Sequence, residues 1–264
     1  MIICNSYNFV LLRVPKVAST SIALAIYDSD LVSLGKDVSP GLEQEYFVEG
    51  NRSHKGRLAI NGQIFKKAIV SKKVLPWEGW WPWPKMNPMF FSHATYDQLV
   101  KMDLIKEGMP SIATIRHPVD RFLSVWSFLF SGLRLMGKSY EDVFTQAPPE
   151  LSRLLNCNPD EFFDMFLTLK VEGKMKNTPL VFMDLFRKPQ TYWGNKDTQY
   201  WAVENLDKNL ARLFSEKGVD PIKVLHLKKD GRNENRKDLL SADRQQSLLD
   251  MFQADLIKWE EQQV

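Results

Sequence analysis

The chain has 264 residues, of which 44% are hydrophobic and 25% charged, enough for a full core and most simply one domain over residues 1–264. Its 35 basic and 32 acidic residues leave a net charge of +3, which excludes the strongly basic balance of a dedicated nucleic-acid binder. The two cysteines, Cys4 and Cys157, form neither a disulfide framework nor a zinc-binding pattern, so we predict no metal site.

No stretch approaches the roughly 18 consecutive apolar residues of a membrane-spanning helix. The N-terminus runs into the first predicted strand without the basic and apolar regions of a signal segment. We therefore expect a cytoplasmic protein without a membrane span.

The most informative stretch is residues 9–26, FVLLRVPKVASTSIALAI. The apolar run FVLL, followed by Val14, predicts a strand buried on both faces of a parallel sheet. Pro15 ends the pairing, and a cluster of hydroxyls then precedes a helix start, whose unpartnered N–H groups suit a phosphate or sulfate. Lys16 adds a mobile positive charge. The alternative is that the hydroxyls only cap the helix and Lys16 is solvated. The cluster comprises Ser19, Thr20 and Ser21.

The stretch is not a Walker A loop, because it lacks the glycines of G-x-x-x-x-G-K-[ST]. Hydrolysis of ATP or GTP is therefore disfavoured.

Residues 27–57 are polar and rich in turn formers, which predicts loops, with His54 as an exposed loop histidine. The insertion at residues 76–88 is dense in tryptophan and proline, which excludes a helix or a central strand. Its aromatic rings form either a rim for a sugar or another flat acceptor, or a hydrophobic flap on the core or another subunit.

The segment MFFSH at residues 89–93 predicts a short strand, and residues 95–106 predict a helix. His93 would then lie at the carboxyl end of a strand, the edge where parallel sheets bind ligands. An imidazole there has a suitable pKa for accepting a proton.

A second strand at residues 111–115 leads to Arg116 and to a helix that begins at Pro118. The Arg116 guanidinium can donate two hydrogen bonds to a phosphate, and the Ser124 hydroxyl, two turns into the helix, can donate another. The alternative is that Arg116 pairs with Asp120 and Ser124 is a small packing residue. His117 is interpreted as shaping the turn.

The rest of the chain continues the alternation of strands and helices. Asn158 before Pro159 predicts a helix start, and residues 223–227 predict a strand. The basic loop at residues 228–237 nominates Lys229 and Arg232 for an anion, with a solvated charge run as the alternative. A last helix, capped by Ser241, carries one apolar face.

Four of these segments resemble sulfotransferases that use 3′-phosphoadenosine 5′-phosphosulfate (PAPS), in particular the carbohydrate branch. PKVASTS at residues 15–21 resembles the 5′-phosphosulfate-binding loop, and residues 112–132 resemble the 3′-phosphate-binding segment. S-H-x-x-Y at residues 92–96 resembles the segment where this family often has a catalytic histidine. Residues 186–214 resemble its later turn, strand and helix, although Arg187-Lys188 replaces the usual His-Trp.

The resemblance implies a P-loop-like, three-layer α/β fold with a central parallel sheet of about four or five strands between helices. It also implies PAPS as the cofactor, PAP as its product, no obligatory metal, and a hydroxyl of a carbohydrate as the acceptor, with an amine as the alternative. Lys16 and His93 would be catalytic. The cofactor-binding residues would be Lys16, Ala18, Ser19, Thr20, Ser21, Arg116 and Ser124.

Two rival hypotheses remain open from the sequence. One is an ATP-dependent small-molecule kinase on a related fold, and the other is a non-catalytic module that holds a glycan or a protein with the insertion at residues 76–88.

Overall fold

The computed structural model describes residues 2–4, 8–18, 22, 93–101, 103, 105–135, 157–170, 183–218 and 237–263. These residues pack as two compact units. The first comprises Met1–Ile115, Gln190–Leu227 and Glu261–Val264, and the second comprises Arg116–Pro189 and Lys228–Glu260. The prediction of a single domain stays a prediction.

The described chain contains four strands and seven α-helices, with most of the helices after β3. In order, they are β1 (Ile2–Cys4), β2 (Phe9–Leu12), α1 (Tyr96–Lys101), β3 (Ser111–Ile115), α2 (Pro118–Leu135), α3 (Pro159–Thr168), α4 (Met183–Phe186), β4 (Gln199–Ala202), α5 (Leu206–Glu216), α6 (Ala242–Met251) and α7 (Gln253–Glu260), with short 3-10 helices at Gln190–Trp193, Val203–Asn205 and Lys237–Leu239.

The first unit is built on a sheet with the described strand order β1-β2-β3-β4. Strands β2, β3 and β4 are parallel, with Leu12 opposite Ala113 and Ile115 opposite Ala202. Strand β1 joins the other side of β2 in the antiparallel direction. All four residues of β2 are buried, as expected for a strand with a neighbour on each side.

The predicted α/β fold with a central parallel sheet is confirmed. Its parallel part has three described strands, and the antiparallel β1 was not predicted. Helix α5 packs beside β4 and buries an apolar stripe of four residues, Leu206, Leu210, Leu213 and Phe214.

The second unit is a helical assembly in which α2 packs against α3 and α6. The buried ring of Phe122 lies 5.3 Å from the rings of Phe162 and Phe166 and 5.9 Å from that of Phe163. Asn158 begins α3 as predicted: its side chain accepts from the Glu161 N–H, and the Glu161 carboxylate accepts from the Asn158 N–H.

The last predicted helix is divided into α6 and α7 at Phe252. Ser241 precedes α6, but its side chain does not cap the helix as predicted. The Ser241 N–H and hydroxyl instead donate to the carboxylate of Asp160, at 2.9 and 3.1 Å, because this acceptor from α3 is within reach.

Several predictions lie outside the described residues. They concern His54, the insertion at residues 76–88, most of the strand at residues 89–93, the strand at residues 223–227, and the loop residues Lys229 and Arg232.

Candidate functional site

The turn after β2 contains two residues with a left-handed backbone, Lys16 at φ 68° and Ala18 at φ 56°. Residues other than glycine adopt this conformation at a cost of about 1–3 kcal/mol, and they cluster at functional sites. Turns of this kind can point successive N–H groups at one anion. The buried side chain of Val17 anchors the turn between Lys16 and Ala18, both of which are partly exposed.

The turn leads into helical backbone at Ile22, whose N–H donates to the Ala18 carbonyl at 3.1 Å. The predicted order of strand, turn and helix start is therefore present around Lys16 and Ala18. The predicted hydroxyls of Ser19, Thr20 and Ser21 lie outside the described residues.

His93 lies in a helical turn and not at the end of a strand as predicted. Its side chain nevertheless reaches the carboxyl end of β2, where Nδ1 lies 2.5 Å from the carbonyl oxygen of Arg13. A carbonyl can only accept a hydrogen bond, so Nδ1 carries the proton and Nε2 keeps a lone pair in the neutral ring.

The pKa of His93 is lowered to about 3, mainly by burial and secondly by the positive charge of Arg13. The ring is therefore neutral at physiological pH. Together with the hydrogen bond to Arg13, this leaves Nε2 unprotonated and able to accept a proton. A pKa of about 3 also makes the ring a weaker base than the ordinary imidazole expected from the sequence.

The main chain of His93 is also held. Its carbonyl accepts a 2.8 Å hydrogen bond from Nε1 of Trp193, which is fully buried at the end of the 3-10 helix Gln190–Trp193. No pattern in the sequence pointed to Trp193. A contact between residues 100 positions apart leaves no local signal by which the sequence could have revealed it.

Arg116 and Ser124 belong to the second unit. Arg116 directly follows β3, and one residue, His117, separates it from α2. Ser124 lies in the second turn of α2, and both Arg116 and Ser124 are partly exposed. Side chains on a helix lean toward its N-terminus, so the Ser124 hydroxyl leans toward the end of α2 where Arg116 lies.

Arg121, in the same segment, is buried and has a structural role. It donates to the Lys188 carbonyl at 2.8 Å, lies over the Phe252 ring and interacts electrostatically with the buried Asp255. Burial lowers its pKa to about 10, which leaves it charged at neutral pH. Of the two arginines in this segment, Arg116 is the more accessible to a ligand.

The ring of His117 packs edge-on against that of Trp259, at 4.9 Å, and its carbonyl accepts from the Arg121 N–H at the start of α2. Both contacts are compatible with the predicted role of shaping the turn.

A family model described as the sulfotransferase family matches residues 1–256. The chain belongs to this family. Searches of curated proteins and of solved structures gave no match. Membership means that the protein transfers sulfuryl groups, and it accounts for the α/β fold around the parallel strands.

Among the described residues of this sulfotransferase, no helix is long and apolar enough to cross a membrane. Within the same residues, no three His, Cys, Asp or Glu side chains come together in a group that could hold a metal ion.

Proposed function

We propose that this sulfotransferase moves the sulfuryl group of PAPS to a hydroxyl of a carbohydrate acceptor. The observation that carries the proposal is the pair of features at the carboxyl end of β2. Lys16 lies in the left-handed turn after the strand, and the His93 ring is hydrogen bonded to the carbonyl of Arg13, the residue that directly follows β2. Ligands bind at this edge of parallel sheets.

In the proposed reaction, the acceptor oxygen attacks the sulfur in line with the bridging oxygen that joins sulfate to the 5′-phosphate. The new S–O bond forms as the bond from sulfur to the bridging oxygen breaks. Lys16 stabilises the negative charge that develops on that oxygen, and the electron pair leaves with PAP. Nε2 of His93 takes the proton of the acceptor hydroxyl.

The cofactor would be held at two points. The turn at Lys16 and Ala18, with Ser19, Thr20 and Ser21, would surround the 5′-phosphosulfate. Arg116 and Ser124 would bind the 3′-phosphate beside the first turn of α2, where N–H groups and the helix dipole favour an anion.

The carbohydrate acceptor is supported by the sequence of the insertion at residues 76–88. Its four tryptophans supply rigid aromatic faces of the kind on which sugar rings stack. They are Trp77, Trp80, Trp81 and Trp83.

A comparison of PAP with ATP tests the cofactor. A ligand at about a hundred times its Kd adds roughly 2.7 kcal/mol of stability, which for a chain of this size corresponds to a shift of about 5–10 °C in Tm. We expect this shift with PAP and not with ATP, and transfer of label from radiolabelled PAPS to unsulfated chondroitin or heparosan. A shift with ATP alone would favour a kinase. Binding of the glycans without transfer would favour a non-catalytic module.

A further inference from the structure

The position of His93 depends on contacts at two points of the residue. Its ring donates from Nδ1 to the Arg13 carbonyl, and its own carbonyl accepts from Nε1 of Trp193. The first contact selects the tautomer, and the second fixes the backbone from which the ring projects. Since Nε2 must reach the acceptor hydroxyl, a movement of this backbone would displace the base from the reacting atoms.

The 3-10 helix that carries Trp193 is itself held in place. The Tyr200 hydroxyl of β4 donates to the Thr191 carbonyl at 3.2 Å. Directly after Trp193, a side chain at Gly194 would meet the Tyr200 hydroxyl at 2.3 Å and Thr198 at 2.7 Å, so the segment lies against β4 with no room for one. The segment that carries the Trp193 indole is thereby fixed to β4, which belongs to the same sheet as β2.

We propose that Trp193 is a positioning residue for the sulfuryl transfer: its indole N–H holds the main chain of His93 so that Nε2 stays aligned with the acceptor hydroxyl. This inference rests on the proposed role of His93 as the base. Trp193 touches neither cofactor nor acceptor in this proposal, and it acts through His93.

The chain offers a matched control in Trp201. Both indoles are buried, at 0% and 2% exposure, and both lie in the first unit. Among the described residues, however, Nε1 of Trp201 has no hydrogen-bond partner. Trp→Phe removes a similar volume at either position, but only at Trp193 does it remove a hydrogen bond to the candidate base.

The experiment compares full-length Trp193→Phe and Trp201→Phe with the wild type, using radiolabelled PAPS and unsulfated chondroitin or heparosan. We expect kcat about tenfold lower in Trp193→Phe than in Trp201→Phe, with the KM for PAPS unchanged. Equal kcat values for the two variants would overturn the proposal.

A second measurement does not depend on turnover. In the wild type and in Trp201→Phe, NMR of isotope-labelled histidine should show His93 with a protonated Nδ1 and without titration between about pH 5 and 8. In Trp193→Phe the ring should titrate toward the ordinary pKa of about 6.5, because a His93 whose main chain is no longer held loses the burial that lowers its pKa. An unchanged His93 signal in this variant would overturn the positioning role. Absence of sulfuryl transfer in the wild type would contradict only the proposed function.

A milder variant decides the question if Trp193→Phe does not fold. Tyr200→Phe keeps the ring and removes the hydrogen bond to the Thr191 carbonyl, so it loosens the 3-10 helix without touching Trp193. We then expect a fall in kcat of a few fold and a partial titration of His93, and wild-type behaviour in both measurements would overturn the proposal.

Discussion

The two compact units use their buried and partly buried polar groups for different purposes. In the first unit, two hydrogen bonds hold His93 beside the carboxyl end of β2: the Arg13 carbonyl selects the tautomer of the ring, and the Trp193 indole holds the main chain. In the second unit, polar side chains tie helices together. Arg187 donates to the carbonyls of Phe166 and Leu169 at the end of α3, and Arg121 donates to the Lys188 carbonyl.

The polar groups of the first unit thus orient a candidate catalytic side chain, whereas those of the second unit stabilise the packing of helices. A hydrogen bond that orients an imidazole matters most to the reaction, whereas one that closes the end of a helix matters most to folding. We therefore expect substitutions around His93 to lower turnover more than stability. In the helical core of the second unit, we expect the reverse.

The largest expected effect is that of His93→Ala. Loss of a general base typically lowers turnover by about 10²- to 10⁴-fold. PAP affinity should change little, because the base contacts the acceptor and not the nucleotide. Turnover with radiolabelled PAPS and calorimetric titration with PAP measure the two quantities. His54→Ala should have little effect. If only His54→Ala lowers turnover, the loop histidine is the base.

The pH dependence of kcat/KM is a second test of His93 as the base. His93 accepts a proton only when it is neutral, and its pKa of about 3 keeps it neutral at every pH well above that value. The kcat/KM for the acceptor reports the free enzyme, so it should stay level from about pH 8 down to about pH 5. A base with the ordinary histidine pKa of about 6.5 would instead give a fall of about tenfold per pH unit below that value. Such a fall would argue against His93.

In the second unit, the corresponding test is Phe122→Ala. Phe122 is 2% exposed and contacts three other phenylalanine rings, so its truncation should lower the free energy of unfolding by about 3–5 kcal/mol. Urea denaturation measures this loss. Leu167→Ala on the exposed side of α3 should change stability by no more than about 0.5 kcal/mol. If Phe122→Ala loses turnover and keeps its stability, then the core of the second unit does not differ from the surroundings of His93 in the way we expect.

The sequence predicted the elements whose signals are local. Strands β2 and β3 were found from apolar runs, and α3 was found from Asn158 and Pro159 at its start. Strand β1 was missed because its three residues form a strand only through pairing with β2. The strand predicted to end at His93 was wrong at that residue, since apolar composition alone does not separate a strand from other buried backbone.

The candidate site was less predictable than the fold. The contacts of His93 with Arg13 and Trp193 join residues 80 and 100 positions apart, and sequence spacing does not encode them. The burial of Arg121 did have a signal, because it shares a helical stripe with Val125 and Leu129, which are both buried. This spacing would have distinguished Arg121 from Arg116.

The smallest expected effect is that of Arg116→Ala, which tests the proposed contact of Arg116 with the 3′-phosphate. Loss of one charge-assisted contact with the 3′-phosphate should weaken PAP binding by about 1.5–3 kcal/mol, or roughly 10- to 150-fold in Kd. Stability should be retained, because Arg116 is partly exposed. Calorimetric titration with PAP gives the Kd, and thermal denaturation gives the stability.

Two other arginine variants serve as controls for Arg116→Ala. Arg212 is an exposed residue of α5 with a 3.7 Å ion pair to Glu216, so Arg212→Ala makes the same change in net charge and should leave the Kd for PAP unaltered. Arg121→Ala should lower stability instead, because it removes the charge that faces the buried Asp255. If Arg116→Ala behaves like Arg121→Ala, losing stability while the folded fraction binds PAP normally, then Arg116 is a structural ion-pair residue. Arg116 would then stabilise the fold and would not contact the 3′-phosphate.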